Sequence, residues 1–211
     1  MEKANVDKYL IIWAKVVTIL FHPLFMPLYG LLIIFLSPTL FWYLPFKVKK
    51  IIFLIILINN VLVPLSLLPF FRHRNIVNSL IMEERSERVI PLLAASLLYS
   101  ITSFILFRLQ IPIFLKTWFY SISFLAILLL LMTLWYKVSV HAAAAGALTG
   151  TILALSFKMS VSPGWFFITS LVISGLVLAS RLKLNSHNPL QVYTGFITGL
   201  AGISLFILFF Q

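Results

Sequence analysis

Residues 114–136 read FLKTWFYSISFLAILLLLMTLWY, with Lys116 as the single charge in the run. A helix of about 20 mainly apolar residues is long enough to cross the hydrocarbon core of a bilayer. Soluble domains are roughly half apolar and about a quarter charged. This chain of 211 residues is 62% hydrophobic and 10% charged, which is more apolar surface than a soluble fold can bury. We therefore predict an integral membrane protein.

Six further apolar stretches flank this segment. The first, residues 9–44, is too long for one simple helix and contains Pro23, Pro27 and Pro38. We predict one span there, with a kinked or interfacial leading part. The other stretches are residues 51–71, 90–107, 138–157, 165–182 and 189–210. The predicted fold is an all-α transmembrane helix bundle of six or seven spans, forming a single membrane domain over residues 1–211.

Small and amide residues inside the spans predict how the helices pack. Residues 146–150 and 195–199 both have glycines four positions apart. Small residues let helix backbones approach closely in lipid, so we predict that the spans carrying them lie in the bundle core. Asn59 and Asn60 lie inside a span, where amide side chains need hydrogen-bond partners. We expect them to bond between helices.

The net charge is +11, from 16 Lys and Arg against 5 Asp and Glu. In a soluble protein this balance would indicate nucleic-acid binding. In a membrane protein, Lys and Arg at span ends face anionic headgroups, and we predict no nucleic-acid partner. The chain has no cysteine, so disulfides, thiolate metal sites and cysteine nucleophiles are excluded.

Counting spans places the basic residues of the second half at one membrane face. If the third span begins at Arg88, the fourth returns to the same face at Lys137, and the fifth begins there. The sixth span returns to that face at residues 180–181, and the seventh departs just after His187. The residues predicted to gather are Arg85, Arg88, Lys137, Ser139, His141, Arg181 and His187.

These residues resemble the three ordered motifs of the type 2 phosphatidic acid phosphatase (PAP2) superfamily: K-x6-R-P, P-S-G-H and S-R-x5-H-x3-D. Residues 180–187, SRLKLNSH, contain an intact S-R-x5-H. Residues 138–141, VSVH, keep the serine and histidine of the second motif, and residues 85–91, RSERVIP, correspond to the first. The resemblance covers residues 85–191, and on it the chain is identified as a divergent member of this superfamily.

The resemblance implies a PAP2-like core from the third span to the seventh and metal-independent hydrolysis of a lipid phosphate, without a cofactor. It assigns His187 as the nucleophile that forms a phosphohistidine and His141 as the general acid to the leaving alcohol. Arg88 and Arg181 would bind the phosphate, with a hydrogen bond from Ser139. Fixed cations suit this task because phosphoryl transfer spreads negative charge over three equatorial oxygens.

Three positions depart from the family pattern. The lysine of the first motif would fall at Ile81, and either Arg85 or Lys137 could replace it, of which we favour Lys137. The glycine of the second motif is Val140. The aspartate that orients the nucleophile is Gln191, which the resemblance still assigns to the catalytic group. An amide can hold the imidazole by its carbonyl oxygen, but it supplies no negative charge.

The predicted partners are a lipid phosphate substrate and membrane lipids, with the cell inner (plasma) membrane as the expected location. Candidate substrates are lipid phosphomonoesters, such as phosphatidate and phosphatidylglycerophosphate, and the diphosphate of a polyprenyl alcohol. The alternatives are a lipid phosphotransferase and a catalytically weak or inactive protein that binds or moves anionic lipid. His141 and His187 favour an enzyme, because a pure phosphate binder needs Arg and Lys more than histidines. Lys183 is expected to contact headgroups, and His22 has no partner that the sequence identifies.

Overall fold

The structure is a computed structural model that describes residues 2–77, 84–162 and 164–210. Every regular element in these residues is helical. The helices are α1 (Glu2–Leu20), α2 (Met26–Leu36), α3 (Phe46–Ile56), α4 (Val63–His73), α5 (Ser86–Arg108), α6 (Ile113–Trp135), α7 (Val140–Met159), α8 (Gly164–Lys183) and α9 (Pro189–Phe209). A 3-10 turn, Leu40–Tyr43, follows α2, and a π-helical turn, Leu57–Leu62, joins α3 to α4.

Seven helical segments of the described chain are long and apolar enough to cross a membrane. Val6–Leu36 combines α1 and α2, and Phe46–His73 combines α3, the π-helical turn and α4. The helices α5 to α9 supply one segment each. The predicted all-α fold is thereby confirmed for the described residues, and seven candidate spans agree in length and composition with an integral membrane protein.

The first span is interrupted at residues 21–25, which contain Pro23. Pro27 follows in the first turn of α2, where the missing N–H costs nothing. On one side of the break, α1 packs along α8, and the Lys183 ammonium pairs with the Asp7 carboxylate at 2.6 Å. On the other side, α2 packs against α7. The predicted kink is confirmed, and Lys183 has a protein partner instead of the expected headgroup.

The helices α7 and α9 pack backbone against backbone. A Cβ added at Gly199 would collide with the carbonyl oxygen of Ala143, and one added at Gly150 would lie 2.6 Å from the carbonyl oxygen of Leu200. Only glycine permits so close an approach. The two spans with paired glycines thus pack directly against each other, and of the two only α7 is mostly buried, as predicted for a core position.

Hydrogen bonds between buried side chains join α5 to its neighbours. Thr102 donates from Oγ1 to Oδ1 of Asn60 at 2.6 Å, and Asn60 is fully buried. Ser103 donates from Oγ to the carbonyl oxygen of Phe119 on α6 at 2.9 Å. In hydrocarbon such groups have no water to bond, so these contacts fix the helix register. The predicted interhelix bond is confirmed for Asn60.

The helix α5 begins at Ser86, earlier than the predicted span that starts at residue 90. Pro91 lies inside this helix, in its second turn, where it removes one i→i−4 hydrogen bond. Because the helix begins early, Arg88 lies in the first turn of a helix instead of in the preceding loop. Its side chain is buried, with 8% of its surface exposed.

Candidate functional site

A cavity of about 240 Å³ lies inside the helix bundle. Its lining comes from the break between α1 and α2, the first turn of α2 and helices α4 to α8, together with the segment between α8 and α9. Three histidines and two arginines are part of this lining: His22, Arg88, His141, Arg181 and His187. The structure therefore brings together four of the residues that the sequence analysis selected, and adds His22.

The imidazole of His187 is held at both of its nitrogens. Nε2 lies 3.3 Å from a terminal nitrogen of Arg88, and Nδ1 lies 3.1 Å from Oε1 of Gln191. A guanidinium can only donate, so Nε2 accepts and Nδ1 carries the proton that is donated to Gln191. The lone pair of Nε2 is thus directed into the cavity, on the side of Arg88. This is the protonation pattern that a histidine nucleophile needs.

Gln191 is fixed by the start of α9. Asn188 caps this helix, accepting from the Gln191 N–H at its Oδ1 at 2.8 Å, and Pro189 follows as the first helical residue. The Gln191 side chain returns the bond by accepting from the Asn188 N–H at 3.3 Å, which completes a capping box. The same Oε1 faces His187, so its orientation as an acceptor is set by two donors. Gln191 holds the imidazole by its carbonyl oxygen.

Arg181 is a buried cation with no counter-ion in the part of the chain that the structure describes. It lies in the last turn of α8 with 5% of its surface exposed, and its guanidinium makes no hydrogen bond or ion pair with the described residues. The charge that acts on it most is the like charge of Arg88. An unpaired buried charge is costly unless a partner of opposite charge is supplied. The cavity is therefore suited to an anion.

His141 stands in the first turn of α7, opposite His187. The groups close enough to act on it electrostatically are Arg181, His22, His187 and Arg88. Its Nε2 is buried and has no hydrogen-bond partner among the described residues. A proton on this nitrogen would be free to pass to a bound molecule. The geometry is compatible with an acid role, which the resemblance also assigns to it.

Ser139 is the N-cap of α7 and is fully buried. Its Oγ accepts from the Ala142 N–H at 3.4 Å, and its own N–H donates to the Gln191 carbonyl oxygen at 3.2 Å. These two bonds tie the start of α7 to the start of α9, so the histidines that precede and follow these starts keep a fixed separation. Ser139 itself does not belong to the cavity lining.

The structure places Arg85 and Lys137, the two candidates to replace the missing lysine, in different surroundings. Arg85 precedes α5 as an exposed side chain outside the cavity lining. Lys137 is half-buried between α6 and α7, and its charge acts on His187. Ile81 lies outside the described residues. Of the two candidates, Lys137 is accordingly the one whose charge acts on His187.

Burial lowers the pKa of His187 to about 4. The charge of Arg88 acts in the same direction, as do those of Arg181 and Lys137 more weakly, while the hydrogen bond to Gln191 opposes them. A cation next to cations is disfavoured, so the imidazole stays neutral at neutral pH. Its Nε2 lone pair is then available for attack.

Sequence reasoning missed His22, which lies in the break between α1 and α2. Its ring is perpendicular to that of His141, with centroids 5.2 Å apart, and its Nδ1 accepts from the Leu24 N–H at 3.3 Å. The following proline signalled a break in the helix. Nothing in the sequence signalled that this break packs against the start of α7.

Comparison with known proteins supplies no relative for this chain. No protein-family model matches it, and neither curated proteins nor solved structures gave a match. Within the described residues, no group of three or more His, Asp or Glu side chains is arranged to hold a metal ion. The functional interpretation therefore starts from the geometry of the cavity.

Proposed function

We propose that the protein is a divergent PAP2-type lipid phosphatase that hydrolyses a lipid phosphomonoester or diphosphate through a phosphohistidine at His187. One observation carries the proposal: the unprotonated Nε2 of His187 lies 3.3 Å from the Arg88 guanidinium, in a cavity where Arg181 has no counter-ion among the described residues. A nucleophile and a site for an anion thus share one buried space. The resemblance of residues 85–191 to the family motifs supports the same activity.

In the first step, Nε2 of His187 attacks phosphorus. The N–P bond forms as the bond from phosphorus to the alkoxide oxygen breaks, and protonated His141 gives its proton to that oxygen. The lipid alcohol leaves, and His187 carries the phosphoryl group. The negative charge of the bound substrate favours the protonated form of His141 that this step requires.

In the second step, water attacks the phosphohistidine. His141, now neutral, takes a proton from the water as the N–P bond breaks, so inorganic phosphate leaves and both histidines return to their starting states. Arg88 and Arg181 offer planar donor pairs to the equatorial oxygens in both steps. In the free protein Arg88 donates to the nucleophile, and a bound phosphate would take over that donor and release Nε2.

Gln191 limits the rate in this mechanism. The imidazole ring gains positive charge as the N–P bond forms, and a carboxylate at this position would stabilise it. In the serine-protease triad, replacing such a carboxylate by its amide costs about four orders of magnitude in rate. Gln191→Asp is therefore expected to raise phosphate release by at least about tenfold, provided that the capping box is kept.

The test is phosphate release by purified protein in detergent, with a chelator present, from a panel of lipid phosphates and prenyl diphosphates. We expect His187→Ala to abolish release and Gln191→Asp to increase it. His73→Ala is the matched control, because His73 is exposed at the end of α4 and lies outside the cavity lining. Release by His187→Ala at the rate of the parent, or no release by the parent from any substrate, would overturn the proposal.

The second candidate function is binding or movement of an anionic lipid without hydrolysis. The observation in its favour is the neutral Gln191, which supplies no charge to the nucleophile. In that case the parent would bind lipid phosphates but release nothing, and His187→Ala would weaken binding only modestly. A lipid phosphotransferase would instead release the alcohol only when a second alcohol is added as acceptor.

A further inference from the structure

One end of the cavity, which we call its cationic end, is lined by Arg88, Arg181 and the three histidines, and the cavity continues well beyond it. Its lining runs along α5 from Arg88 to Tyr99 and along α7 from His141 to Thr151. At about 1.5 Å per residue, each of these runs covers about 15 Å along the helix axis. Past the arginines and histidines the lining is mainly apolar, with alanines on three helices. The cavity therefore has the shape of an amphiphile, with a charged head and an apolar extension.

Trp118 lines the inner end of the cavity and is the lining residue of α6 farthest along that helix from the cationic end. The indole N–H donates to Oγ1 of Thr151 at 2.8 Å, and only 1% of the Trp118 surface is exposed. The ring also lies against Gly30 of α2, where a Cβ would be 2.7 Å from Cζ2. Contacts on two sides hold the ring in place, so it forms a fixed floor.

The room inside fits a hydrocarbon chain. An engineered apolar cavity of about 150 Å³ admits benzene and stays dry, and this cavity measures about 240 Å³. Its walls at mid-depth include Ala95 of α5 and Ala147 of α7, whose short side chains leave the space open. One such space accommodates one chain, and the floor sets a limit to its length.

We propose that the substrate is a phosphate with a single hydrocarbon chain, bound with its phosphate at Arg88 and Arg181 and its chain inside the cavity as far as Trp118. The identification of this ligand as a substrate rests on the proposed function. The binding mode does not, because a phosphonate that cannot be hydrolysed would occupy the same space. A phosphate whose chain stays among the membrane lipids is the competing arrangement.

The experiment uses Trp118 as the reporter. The four other tryptophans, Trp13, Trp42, Trp135 and Trp165, are exposed on the surface. Replacing them with Phe leaves Trp118, which is buried, as the single tryptophan, and excitation at the red edge of the tryptophan band avoids the tyrosines. In nanodiscs of phosphatidylcholine, this variant is titrated with an alkylphosphonate that carries bromine at the end of its chain. We expect saturable quenching of Trp118 because contact with bromine requires the chain to reach the floor.

Variants of the wall separate the two arrangements. Ala95→Phe and Ala147→Phe fill the cavity from different helices, so we expect each to abolish the quenching, and one serves if the other does not fold. Ala179→Phe, on the exposed face of α8, is the matched control and should leave quenching unchanged. Inorganic phosphate and methylphosphonate should relieve the quenching in the parent, and isothermal titration calorimetry should show that they bind the parent and the wall variants alike, because neither enters the apolar part.

The outcomes are distinguishable from those of the proposed function. Absence of saturable quenching in a protein that releases phosphate from lipids would overturn the inference about the chain and leave the phosphatase proposal standing. Equal quenching in the parent and in both folded wall variants would also overturn it. Quenching that is lost in the wall variants, in a protein that releases no phosphate, would support the binding mode and remove the enzyme.

Discussion

Two faces of α7 use small residues for opposite purposes. On the face toward α9, which we call the packed face, Gly146 and Gly150 let two backbones touch, and no Cβ fits between them. On the face toward the cavity, which we call the open face, Ala144 and Ala147 leave space that no neighbouring side chain fills. The residue type is nearly the same in both places, and the position of the neighbouring helix decides the result. Small residues in a transmembrane helix therefore indicate either close contact or open volume.

The largest expected effect comes from breaking the packed face. In Gly199→Val, the added side chain would collide with the carbonyl oxygen of Ala143, a backbone atom that cannot rotate away. We expect the free energy of unfolding to fall by about 3 kcal/mol or more, or no folded protein to be recovered. Thermal unfolding in detergent measures it.

Gly175→Val is the control for this substitution, because a Cβ at Gly175 of α8 meets nothing within 4 Å. It should unfold within a few degrees of the parent. If Gly199→Val unfolded at the same temperature as Gly175→Val, the backbone contact between α7 and α9 would be wrong, and with it the position of Gln191 relative to Ser139.

At the cationic end of the cavity, we expect one substitution to raise the stability of the protein and to lower its activity. Arg181→Leu removes a buried charge that has no counter-ion among residues 2–77, 84–162 and 164–210, so we expect the unfolding temperature to rise. Phosphate release should fall by about three orders of magnitude, since a donor aimed at transition-state charge is lost. Both are measured on the same preparation.

Lys183→Leu provides the comparison two residues further on, where the cation is exposed and paired with Asp7. Surface ion pairs contribute little, so neither stability nor release should change much. A loss of stability in Arg181→Leu would show that the guanidinium is held by a partner inside the protein and would remove the argument for an anion site.

The sequence predicted the seven apolar helices and the gathering of four basic residues at one site, because both follow from the length and order of apolar runs. It also located the N-cap and proline before Gln191, since capping is local. The depth of the cavity was not predictable, because it depends on which face of α5, α6 and α7 each small residue occupies. His22 was missed for a related reason. Pro23 predicts a break in the helix, but it does not predict which helix the residues of the break contact.

The protonation of His187 is the next test of the open face. Its pKa of about 4 means that the imidazole stays neutral as the pH falls below 6.5 and gains its proton only near pH 4. An ordinary histidine would be mostly protonated at pH 5.5. Nitrogen-15 NMR of labelled histidine in detergent measures this, with the signal assigned by its loss in His187→Ala.

The same spectra report the tautomer. In the parent, Nδ1 should carry the proton, because Gln191 accepts from it and Arg88 donates to Nε2. Gln191→Leu removes the acceptor, so we expect the tautomer preference to weaken and the pKa of His187 to fall further, since that hydrogen bond favours the protonated ring. A His187 signal that titrates near 6.5 in the parent would contradict both its burial and its contact with Arg88.

The smallest expected effect sharpens the comparison most, because it concerns neighbouring residues. Gly146→Ala adds one carbon to the packed face, where it would meet the backbone of Phe196, whereas Ala147→Phe adds a whole ring to the open face. We expect the larger addition to change the free energy of unfolding by no more than about 1 kcal/mol, because filling a cavity is neutral or stabilising. The single carbon should destabilise the protein by more than that, as overpacking does. Thermal unfolding of the two variants, measured side by side, tests this order. If Ala147→Phe were the more destabilised variant, the cavity would be filled in the membrane and α7 and α9 would be loosely packed.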